Sequence, residues 1–107
     1  STSEITLLRG LGAPFSENGD QVINQLRLKV HNRTDEPRSF SVTLPDMPSA
    51  KVVAPELPLQ VPPGQQAVAS FFVMVPRSEL HGSRRIQLRI GDAHDSQLVT
   101  YTLLGPE

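Results

Sequence analysis

The stretch Gln21–Val22–Ile23–Asn24–Gln25–Leu26–Arg27–Leu28–Lys29–Val30–His31–Asn32 decides the fold, because its side chains alternate. Leu26, Leu28 and Val30 point one way; Arg27, Lys29 and His31 point the other. A period of two over this length is a β-strand with one buried and one wet face. The turn signal Asn18–Gly19–Asp20 precedes it, since Asn and Gly tolerate positive φ. Arg33–Thr34–Asp35–Glu36–Pro37 then turns the chain into Ser39–Leu44, where Phe40, Val42 and Leu44 share one face.

The same period recurs on both sides. Glu4–Leu8 reads as a first strand, broken by Gly10, Gly12 and Pro14. Pro45, Pro48, Pro55 and Pro58 confine Ala50–Ala54 and Leu57–Val61 to short edge strands, because proline cannot donate to a ladder. Pro62–Pro63–Gly64 turns the chain into Gln66–Val75, with Ala69, Phe71, Val73 and Val75 on one side. Ser83–Ile90 places Ile86, Leu88 and Ile90 inward against Arg85, Gln87 and Arg89 outward. Gly91–Ser96 is a polar loop, and Gln97–Leu104 aligns Val99, Tyr101 and Leu103. Seven or eight strands at spacings of about a dozen residues predict an all-β, two-sheet antiparallel sandwich, immunoglobulin-like or fibronectin-type. The chain has no cysteine and no tryptophan, so packing alone is expected to hold the two sheets together.

Composition sets bounds on function. The 107 residues suffice for one domain, 1–107, and Ser1–Thr2–Ser3 without an initiator Met suggests a domain excised from a larger protein. Ten basic residues against 11 acidic ones disfavour a nucleic-acid binder. The lack of cysteine excludes disulfides, zinc–thiolate sites, iron–sulfur ligation and thiol catalysis within this segment. The longest apolar run, Ala67–Val75, is too short to cross a bilayer, so no direct membrane insertion is expected of this segment.

Candidate chemistry is sparse. Asp92, His94 and Asp95 form the one stretch of mixed ligand types and are the candidate metal site, although a polar hairpin loop has the same composition. Met47 and Met74 are the conceivable soft copper ligands, without a Met–x–Met cluster to support them. His31 lies beside Arg27 and Lys29, which oppose a cation, and His81 lies in a turn. His94–Asp95–Ser96 contains the residue types of a hydrolase triad, but consecutive residues cannot align as one. Gly10–Leu11–Gly12 lacks the third glycine of a dinucleotide fingerprint, with Phe15 in its place. Asn32–Arg33–Thr34 is formally a glycosylation sequon. The outward Arg27, Lys29, Arg85 and Arg89 read as solubilising charge. Adjacent Phe71 and Phe72 must face opposite ways; with Phe71 inward, Val68, Phe72 and Met74 face outward as the candidate interaction surface, unless a neighbouring loop covers them.

From Leu8 to Leu44 the chain resembles the immunoglobulin-like C-terminal domain of the FixG/CcoG family, accessory proteins of cbb3-type cytochrome c oxidase assembly. The resemblance rests on Arg9, Phe15, the turn at Gly19, the strand Val22–Asn32 and Pro37–x–x–Phe40, with Asn24 and Asn32 as its most distinctive positions. Val61–Pro62–Pro63–Gly64 and Gly82 to Ile86 fit the same outline; Leu26 departs from it, standing where that family usually carries an aromatic. The resemblance implies a bacterial inner-membrane parent with iron–sulfur clusters upstream, and a cofactor-free accessory domain on the periplasmic side. Its implied partners are proteins of oxidase assembly or the parent's own membrane domain. Two alternatives come from the residues themselves: a small copper- or other metal-binding module at Asp92, His94 and Asp95 or at Met47, and a free-standing adhesion-type sandwich.

Overall fold

The computed structural model describes residues 2–107. Nine strands are found among them: β1 (Glu4–Arg9), β2 (Ser16–Asn18), β3 (Gln21–His31), β4 (Arg38–Thr43), β5 (Lys51–Val53), β6 (Leu59–Val61), β7 (Gln66–Pro76), β8 (Ser83–Gly91) and β9 (Ser96–Leu104). Eight correspond to the strands read from the sequence. The ninth, β2, has no apolar alternation to reveal it and exists because Gly19, at φ 60°, folds Ser16–Asn18 back onto Gln21–Ile23.

One sheet runs β1–β3–β7–β5, with β2 also on β3; the other runs β6–β4–β8–β9. All pairings are antiparallel, and β3 and β7 match over their full 11-residue length, from Gln21↔Pro76 to His31↔Gln66. The proline-bounded segments are edge strands, as proline's missing N–H requires: β5 flanks β7 and β6 flanks β4. Between the sheets, Val22, Leu26, Leu28 and Val30 of β3 and Phe71, Val73 and Val75 of β7 meet Phe40, Val42, Ile86, Leu88, Ile90 and Leu103. Each such side chain contributes about 1.5–3 kcal/mol by leaving water. Met47, from the β4–β5 connection, is 4% exposed and belongs to this core.

Packing does not hold the sheets alone. The inward alternation of β3 includes Asn24 and continues to Asn32, one residue past its end, and both are fully buried. Asn24 Nδ2 donates to the Leu104 carbonyl and Asn24 Oδ1 accepts the Leu104 N–H, both at 2.9 Å. One side-chain amide thus pairs β3 with β9 of the opposite sheet as a strand would. Asn32 Nδ2 donates to the carbonyls of Glu36 (2.8 Å) and Val61 (2.9 Å), while its Oδ1 accepts the Thr34 N–H and hydroxyl. Its backbone adds two more bonds, to Gln65 and from Gly64. The amide's two donors and both acceptor sites are used, so burial leaves nothing unpaired. These hydrogen bonds correct the expectation of a sandwich held by packing only.

Candidate functional site

The inward alternation of Ala69, Phe71, Val73 and Val75 on β7 turns Val68, Phe72 and Met74 to the outer face of the larger sheet. Cross-strand register gives each its setting: Val68 lies beside Lys29, Phe72 between Gln25 and Val53, and Met74 between Ile23 and Lys51. Val68 is half exposed. Phe72 and Met74 are half-buried, and Phe72 lines a cleft of about 150 Å³ with Leu11, Phe15, Ser16, Ile23 and Gln25. The loop between β1 and β2 therefore borders Phe72 without closing over it, and Leu11 in that loop is 79% exposed. Gly10 brings the loop in close: its N–H donates to the Gln25 carbonyl at 2.8 Å, and a Cβ there would meet the Gln25 side chain at 2.6 Å. The three side chains share a face as the alternation requires, but Phe72 and Met74 group with Ile23 and Val53 while Val68 stands about 13 Å along the strand.

Asp92, His94 and Asp95 lie in the β8–β9 hairpin loop. Asp92 Oδ1 accepts the backbone N–H groups of His94 (2.9 Å) and Asp95 (2.8 Å), which is an Asx-type turn. Those two bonds, Asp95's first, hold the Asp92 carboxyl below its ordinary value. No cluster of three or more His, Cys, Asp or Glu side chains suited to a metal ion occurs among the described residues. The sequence grouped these three because they are consecutive; the fold uses Asp92 to close its own loop. Met47, the other copper candidate, is a core side chain, since the chain at Asp46–Pro48 crosses from one sheet to the other and plugs the interior on the way.

The remaining histidines are placed as the sequence suggested. His31 is on the outer face opposite Glu4 and Gln66, and the His81 ring nitrogen lies 3.2 Å from the Ser78 carbonyl in a turn. The sequon asparagine, Asn32, is buried with both amide hydrogens donated, so the folded domain offers no glycan acceptor there. Tyr101 is partly buried, and its hydroxyl has no hydrogen-bond partner among the described residues. Burial raises its pKa above 10.0, with the Arg9 cation pulling the other way. The Arg9 guanidinium sits 5.1 Å from the Tyr101 ring centroid and donates to the Thr102 carbonyl at 3.1 Å, tying β1 to β9.

Sequence reasoning missed a notch at the β4 side of β8. β4 pairs with β8 only at Ser41–Thr43 and then leaves, so Ser83–Leu88 has no strand on that side among the described residues. A cleft of about 220 Å³ opens there, lined by Asp46, Met47, Arg84–Gln87 and Thr100. The four prolines between residues 45 and 58 were the available signal, because they interrupt the neighbour that β8 would otherwise have.

Residues 1–106 match the family model described as "IG-like fold at C-terminal of FixG, putative oxidoreductase". Among solved structures, the chain is similar to a FixG-related protein from Vibrio parahaemolyticus, with a TM-score of 0.78 at 16% identity, over 97% of this chain and 96% of that one. At that identity the likeness is one of fold. No curated protein sequence matches the chain.

Proposed function

The chain belongs to the family of immunoglobulin-like domains at the C-terminus of FixG, and from that membership we propose that it is a non-catalytic accessory domain of a membrane-bound iron–sulfur parent. In this reading the clusters are held by cysteines upstream, and the domain stands on the periplasmic side of the bacterial inner membrane. The parent serves copper handling and the assembly of a cbb3-type cytochrome c oxidase. The domain meets a protein of that assembly, or the parent's own membrane domain, through the outer face of its larger sheet.

The observation that supports an interaction role is the grouping of Phe72 and Met74 with Ile23 and Val53, with Val68 on the same face. A water-facing sheet surface alternates to polar residues unless something else covers it. The metal-binding alternative is weakened by the use of Asp92 as a turn acceptor and by the burial of Met47. The adhesion-type alternative draws no support from the only tyrosine, Tyr101, which is partly buried under Arg9.

The test is made in the full-length parent with Val68→Asp and Phe72→Asp introduced together. Oxidase activity of the membranes is expected to fall several-fold while the parent's iron–sulfur EPR signal stays at wild-type intensity. Unchanged oxidase activity overturns the docking face. Loss of the EPR signal alongside activity overturns the accessory role, because the domain would then be serving the clusters themselves.

A further inference from the structure

The hydrogen-bond phase of β8 is fixed at both ends. The Gly82 carbonyl accepts the Gly105 N–H, and the Asp92 N–H donates to the Asp95 carbonyl, so even-numbered residues of β8 turn their backbone groups toward β9. Odd-numbered residues turn the other way, as Arg89 and Gly91 do where they meet Thr43 and Ser41. Arg85 and Gln87 therefore direct both N–H and C=O into the side that β4 has vacated. No backbone or side-chain partner for these four groups is found among the described residues. The cleft of about 220 Å³ lies at this position, with Met47 and Ile86 as its apolar part.

Charge at the notch is mostly positive. Among the described residues Arg85 has no ion pair or side-chain hydrogen bond, and Arg84 bonds the Glu79 carbonyl at 3.0 Å and lies 3.7 Å from its carboxylate. Asp46 is the one acidic residue of the lining. We propose that the notch is a strand-addition site for an extended acidic peptide segment, which exchanges backbone hydrogen bonds with Arg85 and Gln87 and places a carboxylate on the Arg85 guanidinium. Main-chain pairing supplies the affinity of such a site, and the side-chain pockets and charge supply its selectivity. A bidentate carboxylate–guanidinium contact adds direction to the charge. The site is separate from the face of Phe72 and does not depend on it.

The probe is the acetylated, amidated hexapeptide Val–Thr–Glu–Val–Glu–Val, titrated into the 15N-labelled chain, with a Lys-for-Glu peptide as control. The amides of Arg85 and Gln87 are expected to shift and to exchange more slowly with solvent, and the Lys peptide is expected to bind at least tenfold more weakly. Arg85→Glu should reverse that preference. Gln87→Pro should abolish binding, and because its N–H faces the open side it removes no bond to β9. Should Gln87→Pro fail to fold, Arg85→Glu with the two peptides carries the test. Equal binding of both peptides, shifts confined to the face of Phe72, or no shift at Arg85 and Gln87 would each overturn the proposal.

Discussion

The four-stranded sheet treats its two true edges and its internal notch in opposite ways. At one edge, side chains from the other sheet take outward backbone groups near the end of β9: both groups of Leu104 by Asn24, and the Thr102 carbonyl by Arg9. On the other side, β6 pairs its Val61 with Arg38 of β4, and Asn32 adds a second tie to the Val61 carbonyl. Asn24 stands on β3 and Asn32 one residue past its end, so one segment of the larger sheet ties down both outer strands of the smaller one. Beside β8, nothing comparable among the described residues reaches the backbone of Arg85 and Gln87. Exposed strand edges invite pairing with another chain, and side-chain capping is one way to prevent it. Where capping is present the structure guards against a partner; where it is missing, one can be received.

The comparison breaks first at Asn32. Replacing it with Ala removes a donor from the Val61 carbonyl and one from the Glu36 carbonyl and orphans the Thr34 N–H, leaving the Thr34 hydroxyl only its bond to Glu36, with an expected loss of about 3–4 kcal/mol in denaturant unfolding. Asn24→Ala leaves only the two groups of Leu104 unpaired, and about 2–3 kcal/mol is expected. The two sites lie about 26 Å apart along β3, so the double variant should show the summed loss; strong coupling would mean that the two edges are not capped independently.

A subtler test uses Tyr101, the only tyrosine in a chain without tryptophan, so that phenolate absorbance reports β9 alone. Its folded pKa lies above the ordinary value of 10.0. The corresponding stability is fully present below the unfolded pKa and is lost as pH rises through the folded one, so unfolding free energy should decline above about pH 10. Tyr101→Phe should flatten that decline. Near neutral pH it should leave stability unchanged or raise it by up to about 1 kcal/mol, since the hydroxyl is unpartnered. In Asn24→Ala, a phenolate titration returning to the ordinary range would show that β9 has come away. The smallest effect belongs to the notch: Gln87→Ala should change stability by less than about 0.5 kcal/mol, because its backbone bonds no neighbour on the open side and its side chain is exposed. A larger loss would show that the notch is already filled from within.

Six strands were legible in the sequence because each carries alternating apolar residues long enough to outvote its flanks, and the short β5 and β6 because prolines bound them. β2 was not, since Ser16–Glu17–Asn18 has no apolar side chain and is held by its turn alone. The outward placement of Val68, Phe72 and Met74 follows from Phe71 being inward, which the strand period dictates. Asn24 and Asn32 stood out by resemblance, but their partners lie as far as 80 positions away, a distance over which sequence pattern is silent. The burial of Met47 was not legible for a related reason: a residue between Pro45 and Pro48 has no alternation to place it, and only the crossing between sheets turns it into the core. The notch was hidden because it is the absence of a neighbour, and a strand's own residues do not state how far its partner extends.

The Asn24–Leu104 pair also sets a clock on synthesis. Leu104 follows Asn24 by 80 residues, so at about 5–20 residues per second the amide waits about 4–16 s on the ribosome for its partner. A nascent chain in that interval has β3 and β7 available to zip together, but the polar position at Asn24 is still open to water and to chaperones. Release from that state needs the arrival of β9 and no oxidant, unlike a sandwich that must wait for a disulfide.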